Sequence, residues 1–336
     1  MKKQTRILLA VLLGLVLIGV VVFILPNACG TAHQMNSHKT TSGQTSEPAG
    51  THKDTVTFPQ EAPAALARNG WLEMPGTDRT QEQGMACHTH WAEMGGKQQR
   101  NYTLLYDTGT YASCWVAYPL CADHLSNGRE EAWGYDPLVD KSQQTAVTKG
   151  YGGTFATPNY SRNFYARGHQ IPNADRSGVP EMMAQTYYST NMTPQIQNGF
   201  NGGIWAKLEA GVRGSLTTDT LYVVTGATFH KVSSARANAV NPTVTNRNDG
   251  KVLPVPKWYW KVLLKVKRSA EGQVEQAETI GFWLPHEDLK GHSYTEYVTT
   301  VDQIEEWTGF DFFVNLKDSL ENAVENQCDW AAFQTF

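Results

Sequence analysis

Trp258-Tyr259-Trp260-Lys261-Val262-Leu263-Leu264-Lys265-Val266 does most to narrow the folds open to this chain. Aromatic, β-branched and aliphatic residues succeed one another there with no turn-former, the signature of a central β-strand. Leu221-Tyr222-Val223-Val224-Thr225-Gly226 reads as a second central strand and Thr279-Ile280-Gly281-Phe282-Trp283-Leu284 as another. Tyr102–Tyr106 and Ser113–Tyr118 are shorter strands separated by the turn-forming Asp107-Thr108-Gly109. Helical patterns cover 181–187, 201–213 and 301–308. Many strands with few, dispersed helices predict an α+β domain on a mixed, mostly antiparallel sheet core. The composition, 40% hydrophobic and 11% aromatic over 336 residues, is ample for such a core.

The two ends of the chain differ in kind. Ile7–Leu25 is a run of 19 residues without a charge or a hydrogen-bonding side chain, preceded by Lys2, Lys3 and Arg6. As a helix it spans roughly 28 Å, close to a ~30 Å hydrocarbon core. The basic cluster keeps the first residues cytoplasmic and directs the rest of the chain outward. Residues 1–28 therefore read as a signal peptide or signal-anchor helix, with lipidation at Cys29 as a third route to the membrane. Residues 29–65, rich in Ser, Thr, Gly, Gln, His and Lys, read as a flexible polar tether, and 66–336 as one domain. All three fates export that domain to the cell envelope, the periplasm or the medium.

Cysteine usage agrees with an oxidising compartment. With Cys29 set aside, Cys87, Cys114, Cys121 and Cys328 suffice for two disulfides, with three possible pairings. Cys87-His88-Thr89-His90 and Cys121-Ala122-Asp123-His124 also carry zinc-ligand residue types. Their spacing is not that of a CxxC knuckle, and oxidised cysteines beside surface histidines are the simpler reading.

Net charge is −4, and −7 once the three positive charges of residues 1–28 are removed. A strongly basic nucleic-acid binder is thereby excluded, and any site for a polyanion must be a local basic cleft on an acidic body. The chemistry for such a site begins at Arg167-Gly168-His169-Gln170-Ile171-Pro172-Asn173-Ala174-Asp175-Arg176. Asn191-Met192-Thr193-Pro194-Gln195 comes next, then Asn201 and Trp205-Ala206-Lys207-Leu208-Glu209. Histidine can take a proton from water near neutrality, arginine can neutralise phosphate charge, and Asn with Glu can hold a hard cation. Arg167 and His169, two apart on a strand, point to one face. Asn201, Trp205 and Leu208 share a helix face, with Trp205 and Leu208 docking it. Glu209 lies about 12 Å of helical rise beyond Asn201, which favours a role through water. Taken singly, His169 would be a structural histidine, Arg129 a surface arginine and Glu209 a solvated helix carboxylate.

Together these segments resemble the sugar-nonspecific DNA/RNA endonuclease family, whose active site is a ββα-metal (His-Me) finger. The resemblance covers residues 100–316. It includes Arg129-Glu130-Glu131-Ala132-Trp133 before Asp136-Pro137, the Asn-x3-Trp-x2-Leu-Glu spacing of 201–209, Val255–Val262 and Val301–Phe313. One position departs: the family commonly has Asp-Arg-Gly-His, and Ala166 stands before Arg167. The resemblance implies an endonuclease acting on DNA and RNA with little sequence preference. Its cofactor would be Mg²⁺, with Mn²⁺ as a substitute. His169 would be the general base, Asn201 the direct metal ligand and Glu209 a ligand through water. Arg167 and Arg129 would meet the phosphate. Asn191 is placed with the substrate-binding residues, its amide fixing the loop backbone near the site rather than ligating metal. Two other readings stand beside it: a surface binding protein that keeps the scaffold without turnover, suggested by Ala166, and a phosphodiesterase for small substrates, favoured by the acidic surface.

Overall fold

The computed structural model describes residues 71–76, 84–231 and 241–336. The apolar run, Cys29 and the tether lie outside the described residues. Among the described residues no helix is long and apolar enough to cross a membrane.

The strands in chain order are β1 (Met85–Met94), β2 (Lys97–Asp107), β3 (Ala112–Leu120), β4 (Phe155–Thr157), β5 (Tyr160–Asn163), β6 (Tyr165–His169) and β7 (Met192–Ile196). They continue with β8 (Leu221–Thr228), β9 (Thr243–Thr245), β10 (Val252–Pro254), β11 (Trp258–Arg268), β12 (Val274–Pro285) and β13 (Val298–Thr299). The α-helices are α1 (Pro180–Gln185), α2 (Ala206–Gly214), α3 (Val301–Thr308), α4 (Asp318–Val324) and α5 (Trp330–Thr335).

The main sheet has the order β1-β2-β3-β8-β11-β12-β13. Every pair in it is antiparallel, in keeping with the mostly antiparallel core expected from the sequence. Strands joined by short connections reverse direction without needing a crossover helix. β1 and β2 show this most simply: Gly95 and Gly96, both with positive φ, make a two-residue hairpin turn.

Side chains alternate across the sheet, and that alternation makes two cores. On β11, Tyr259 and Leu263 join one cluster while Trp260, Val262, Leu264 and Val266 join the other. On β3, Val116, Tyr118 and Leu120 face the first and Trp115 and Ala117 the second. The first cluster is covered by Trp205, just before α2, and by α2 through Leu208 and Val212. The second is covered by α3, the loop after it and α4 through Val301, Ile304, Phe312, Phe313 and Val324. The result is a sheet between two helical layers. Leu208 is fully buried, so Leu208→Ala removes core packing worth ~2–5 kcal/mol and loosens α2 from the sheet.

A smaller unit sits on the α2 side. β6 and β7 pair antiparallel from Tyr165↔Ile196 to His169↔Met192, and the chain then turns into α2, giving a ββα arrangement. The turn is not the regular helix the sequence pattern predicts over 201–213. Residues 197–205 form wide π-type turns broken at Asn198, Gly199 and Gly203, and the α-helix begins only at Ala206. Glycine causes this. Gly199 has φ +86°, and a Cβ there would meet Asp288 Oδ1 at 2.1 Å.

The cysteine expectations also change. No disulfide forms among the described residues. Cys87 and Cys114 pack against the second core, Cys121 precedes a short 3-10 turn, and Cys328 is exposed beyond α4. His90 is not a surface residue. It is buried and its Nε2 lies 3.0 Å from Asp136 Oδ2.

Candidate active site

His169 closes β6, and its ring sits beside Trp133 and Tyr187, with centroids 5.6 and 5.1 Å away. The Tyr187 contact is edge-on, which packs the imidazole tightly from one side. Its Nε2 is buried and has no hydrogen-bond partner. Burial pushes the His169 pKa down to about 3; Arg129 and Arg167 add repulsion, and a hydrogen bond with the Arg167 backbone acts in the opposite sense. The ring is therefore neutral near pH 7 with one nitrogen unprotonated, and phosphate charge bound at Arg129 and Arg167 would offset the repulsion that weakens it as a base.

Gly168 allows this placement by having no side chain. A Cβ there would lie 2.2 Å from the buried Gln195 side chain across the β6–β7 pair, so close packing rather than an unusual dihedral explains it. Asn191 is fully buried and does not line the cavity. Its Oδ1 accepts from Ile171 N–H at 3.0 Å, and its Nδ2 donates to Ile171 O at 2.9 Å and to Thr186 O at 2.7 Å. Asn191 therefore lies behind the cavity wall, its amide spent holding the chain just past His169.

His169, Arg167, Arg129, Asn201 and Glu209 do line one cavity, of about 550 Å³. Arg167 stacks on Trp133, its guanidinium carbon 3.7 Å from the ring centroid. Its Nη1 donates to Val147 O at 3.0 Å and Thr148 O at 2.9 Å. That leaves Nε and Nη2 as a fork for a phosphate. Arg129 reaches the same wall: its Nη2 lies 3.1 Å from Glu131 Oε1, and Trp133 Nε1 donates to Glu131 Oε2 at 2.7 Å. Glu131 thereby ties Arg129 to the ring that carries Arg167.

Asn201 Nδ2 donates to Gln197 Oε1 at 2.9 Å, which fixes the amide and assigns its oxygen to other ligands. Glu209, one turn into α2, is half-buried, and its carboxyl is raised by burial. Lys261 and Arg213 oppose that rise, while Asp175 adds to it. Lys261 comes from the middle of β11, fully buried under the Trp205 ring at 4.5 Å, with its Nζ donating to Thr225 Oγ1 at 3.1 Å. Lys261 thus limits the rise in Glu209 without cancelling it, and burial remains the larger effect. A neutral amide oxygen and a carboxylate in one cavity of this size fit a hard divalent cation that keeps most of its waters.

Sequence reasoning missed Lys149 and Arg247, which line the cavity from loops without a motif. Arg247 N–H donates to Gly150 O at 2.9 Å, pinning its loop against the one that carries Lys149. Four cationic side chains (Arg129, Lys149, Arg167 and Arg247) thus face the cavity, and among the described residues that line it Glu209 is the sole carboxylate. The acidic chain does contain a local basic cleft.

The comparisons with known proteins agree with this geometry. The DNA/RNA non-specific endonuclease family model matches residues 90–319. A nuclease of Nostoc sp. is 28% identical over 236 residues, covering 69% of this chain and 77% of that protein. A nuclease of Serratia marcescens is 27% identical over 229 residues, covering 67% and 77%. Nuclease C1 of Cunninghamella echinulata is 30% identical over 224 residues, covering 65% and 82%. Among solved structures, a chain of the EndoG/EndoGI complex shares the fold with a TM-score of 0.50 at 20% identity, covering 77% of this chain and 96% of that one. With the family model matched over most of its length, the chain belongs to the DNA/RNA non-specific endonuclease family.

Proposed function

We propose that the protein is an exported, metal-dependent endonuclease that hydrolyses phosphodiester bonds of DNA and RNA with little sequence preference. The observation that carries this reading is the unpartnered His169 Nε2 in the same cavity as four cations, Asn201 and Glu209. His169 takes a proton from a water in line with the scissile bond. The water oxygen bonds to phosphorus, the bond to the 3′-oxygen breaks, and the leaving oxygen takes a proton from solvent water while His169 later returns its own to solvent, giving a 5′-phosphate and a 3′-hydroxyl. Arg167, through Nε and Nη2, and Arg129 neutralise the phosphoryl oxygens as charge builds. Asn201 would hold Mg²⁺ directly and Glu209 through a bound water. When bound, that ion supplies charge stabilisation at the phosphoryl and leaving oxygens. Cations that meet phosphates rather than base edges account for weak sequence preference.

Export rests on Ile7–Leu25 and the basic residues before it, which support either a membrane anchor or a cleaved leader. The nuclease reading is tested with supercoiled plasmid and a structured RNA. Both should be degraded in Mg²⁺ or Mn²⁺, spared in EDTA, and degraded again on restoring the metal. Undiminished cleavage in EDTA contradicts the metal-assisted step. Cleavage of a small chromogenic diester with both polymers left intact would favour a small-substrate phosphodiesterase instead.

A further inference from the structure

On the other side of the sheet, carboxylates converge where α3 meets α4. Asp302 and Glu305, one turn apart on α3, offer oxygens that lie with one from Glu325 within 4.8 Å of one another. Glu325 belongs equally to a second such group with Asp311 and Glu321. Asp302 and Asp311 are exposed at the rim, Glu305 and Glu321 are half-buried, and Glu325 is only 8% exposed. Glu325 Oε1 is buried and has no hydrogen-bond partner. An isolated buried carboxylate oxygen is costly, and carboxylates close to it add to that cost.

The backbone holds this arrangement in place. Asp302 N–H donates to Glu325 O at 3.2 Å, tying the start of α3 to the end of α4. Glu305 Oε1 accepts from Phe312 N–H at 2.8 Å, which orients its carboxylate beneath the loop between the helices. Gly76 N–H donates to Asp311 O at 2.7 Å, and Asn315 Nδ2 donates to Trp71 O at 2.8 Å, so the first described segment rests on the same loop. Among the described residues no ion pair reaches Asp302, Glu305, Glu321 or Glu325. Burial and the neighbouring carboxylates raise Glu325 to about 8 and Glu305 to about 7.

We propose that Glu325, Asp302 and Glu305, with Glu321 and Asp311 flanking, form a structural calcium site that joins α3, α4 and the loop between them. Calcium is the better fit by chemistry: a shell of several carboxylates with flexible geometry suits the larger ion, whereas magnesium demands near-ideal octahedral geometry and keeps most of its waters. The site goes beyond the nuclease reading. It shares no residue with the catalytic cavity and acts on stability.

The test uses the full chain, stripped of metal, in the Asn201→Ala background so that the catalytic cavity contributes no ion. Equilibrium dialysis against calcium should find one ion per chain, and added calcium at pH 7.5 should raise Tm by several degrees. Adding Glu325→Gln or Glu305→Gln should weaken calcium binding at least tenfold and abolish the Tm rise. In EDTA, Glu325→Gln should melt at or above its parent, because it removes a repelled charge, and this also shows that the variant folds. Nuclease activity of Glu325→Gln in Mg²⁺, in the otherwise native chain, should stay at the parent level. No bound calcium in Asn201→Ala, or calcium retained when either glutamate is replaced, overturns the proposal and leaves the nuclease reading untouched.

Discussion

The two faces of the sheet carry opposite charge. On the α2 side, Arg129, Lys149, Arg167 and Arg247 line a cavity with one carboxylate. On the α3–α4 side, five carboxylates form two groups that share Glu325, and burial with the neighbouring carboxylates raises the pKa values of Glu305, Glu321 and Glu325. Strand alternation keeps the two apart, since each strand delivers odd residues to one layer and even residues to the other. Net charge alone, −4, hides both features. A negative chain can serve a polyanionic substrate when its cations are gathered on one face, and total charge speaks to solubility and steering rather than to the site.

Changes on the cation side should show in turnover, and the largest expected effect after loss of the base is at the metal. Asn201→Ala should lower kcat/KM by ~10²–10³, the several kcal/mol expected when metal stabilisation of the phosphoryl group is lost. Excess Mn²⁺ should restore part of it, and near-native kcat/KM in Asn201→Ala would remove Asn201 from the metal site. Arg167→Ala should cost ~10², chiefly in kcat, because its free guanidinium nitrogens meet charge that grows toward the transition state. A change confined to KM would assign Arg167 to ground-state binding alone.

Lys149→Ala and Arg247→Ala should be milder, acting on binding through the phosphates. The slope of log K against log salt on duplex DNA should flatten by about 0.9 for each phosphate left without its cation. An unchanged slope in the double variant would place the substrate elsewhere. Neither change should move calcium binding at Glu325.

The smallest effect concerns pH. His286 is buried with Nδ1 2.8 Å from Pro256 O, while its Nε2 accepts from Ile196 N–H at 2.8 Å. Those partners fit the neutral ring, and burial lowers its pKa to about 4 against 6.5 unfolded. His124 is held down to about 3 by burial and by Arg176. A depressed folded-state pKa means that stability is full above pH 6.5 and is lost as pH falls toward 4, because only the unfolded chain takes up the proton readily. The raised carboxyls of Glu305, Glu321 and Glu325 act in the opposite sense, so the histidine contribution is read by difference: relative to the parent, His286→Gln should lose less Tm between pH 6.5 and 4. An identical pH dependence in His286→Gln would remove the assignment.

The sheet was legible because its strands are long, apolar and rich in β-branched and aromatic residues. Trp258–Val266 lies wholly within β11, and Val301–Thr308 is the helix its pattern predicts. The turn into α2 was not, because Gly199 and Gly203 break a period that the apolar residues continue through. Cys87-His88-Thr89-His90 suggests a metal cluster only until it is a strand. Cys87 then faces the second core, and His90 pairs with Asp136 on the other side. His169, Arg167, Asn201 and Glu209 could be found because motif spacing preserves them. Lys149 and Arg247 could not, since they reach the cavity from loops about a hundred residues apart. The carboxylates of α3 and α4 are separated in sequence in the same way, and their convergence exists only in the packed helices.

The most direct test compares the native chain with His169→Ala on supercoiled plasmid and RNA in Mg²⁺, with duplex binding followed in EDTA. Loss of ~10²–10⁴ or more in cleavage of both polymers, with binding and Tm unchanged, is the predicted result. Cleavage at the native rate by a folded His169→Ala protein would contradict the account of this cavity as the place where the phosphodiester is broken.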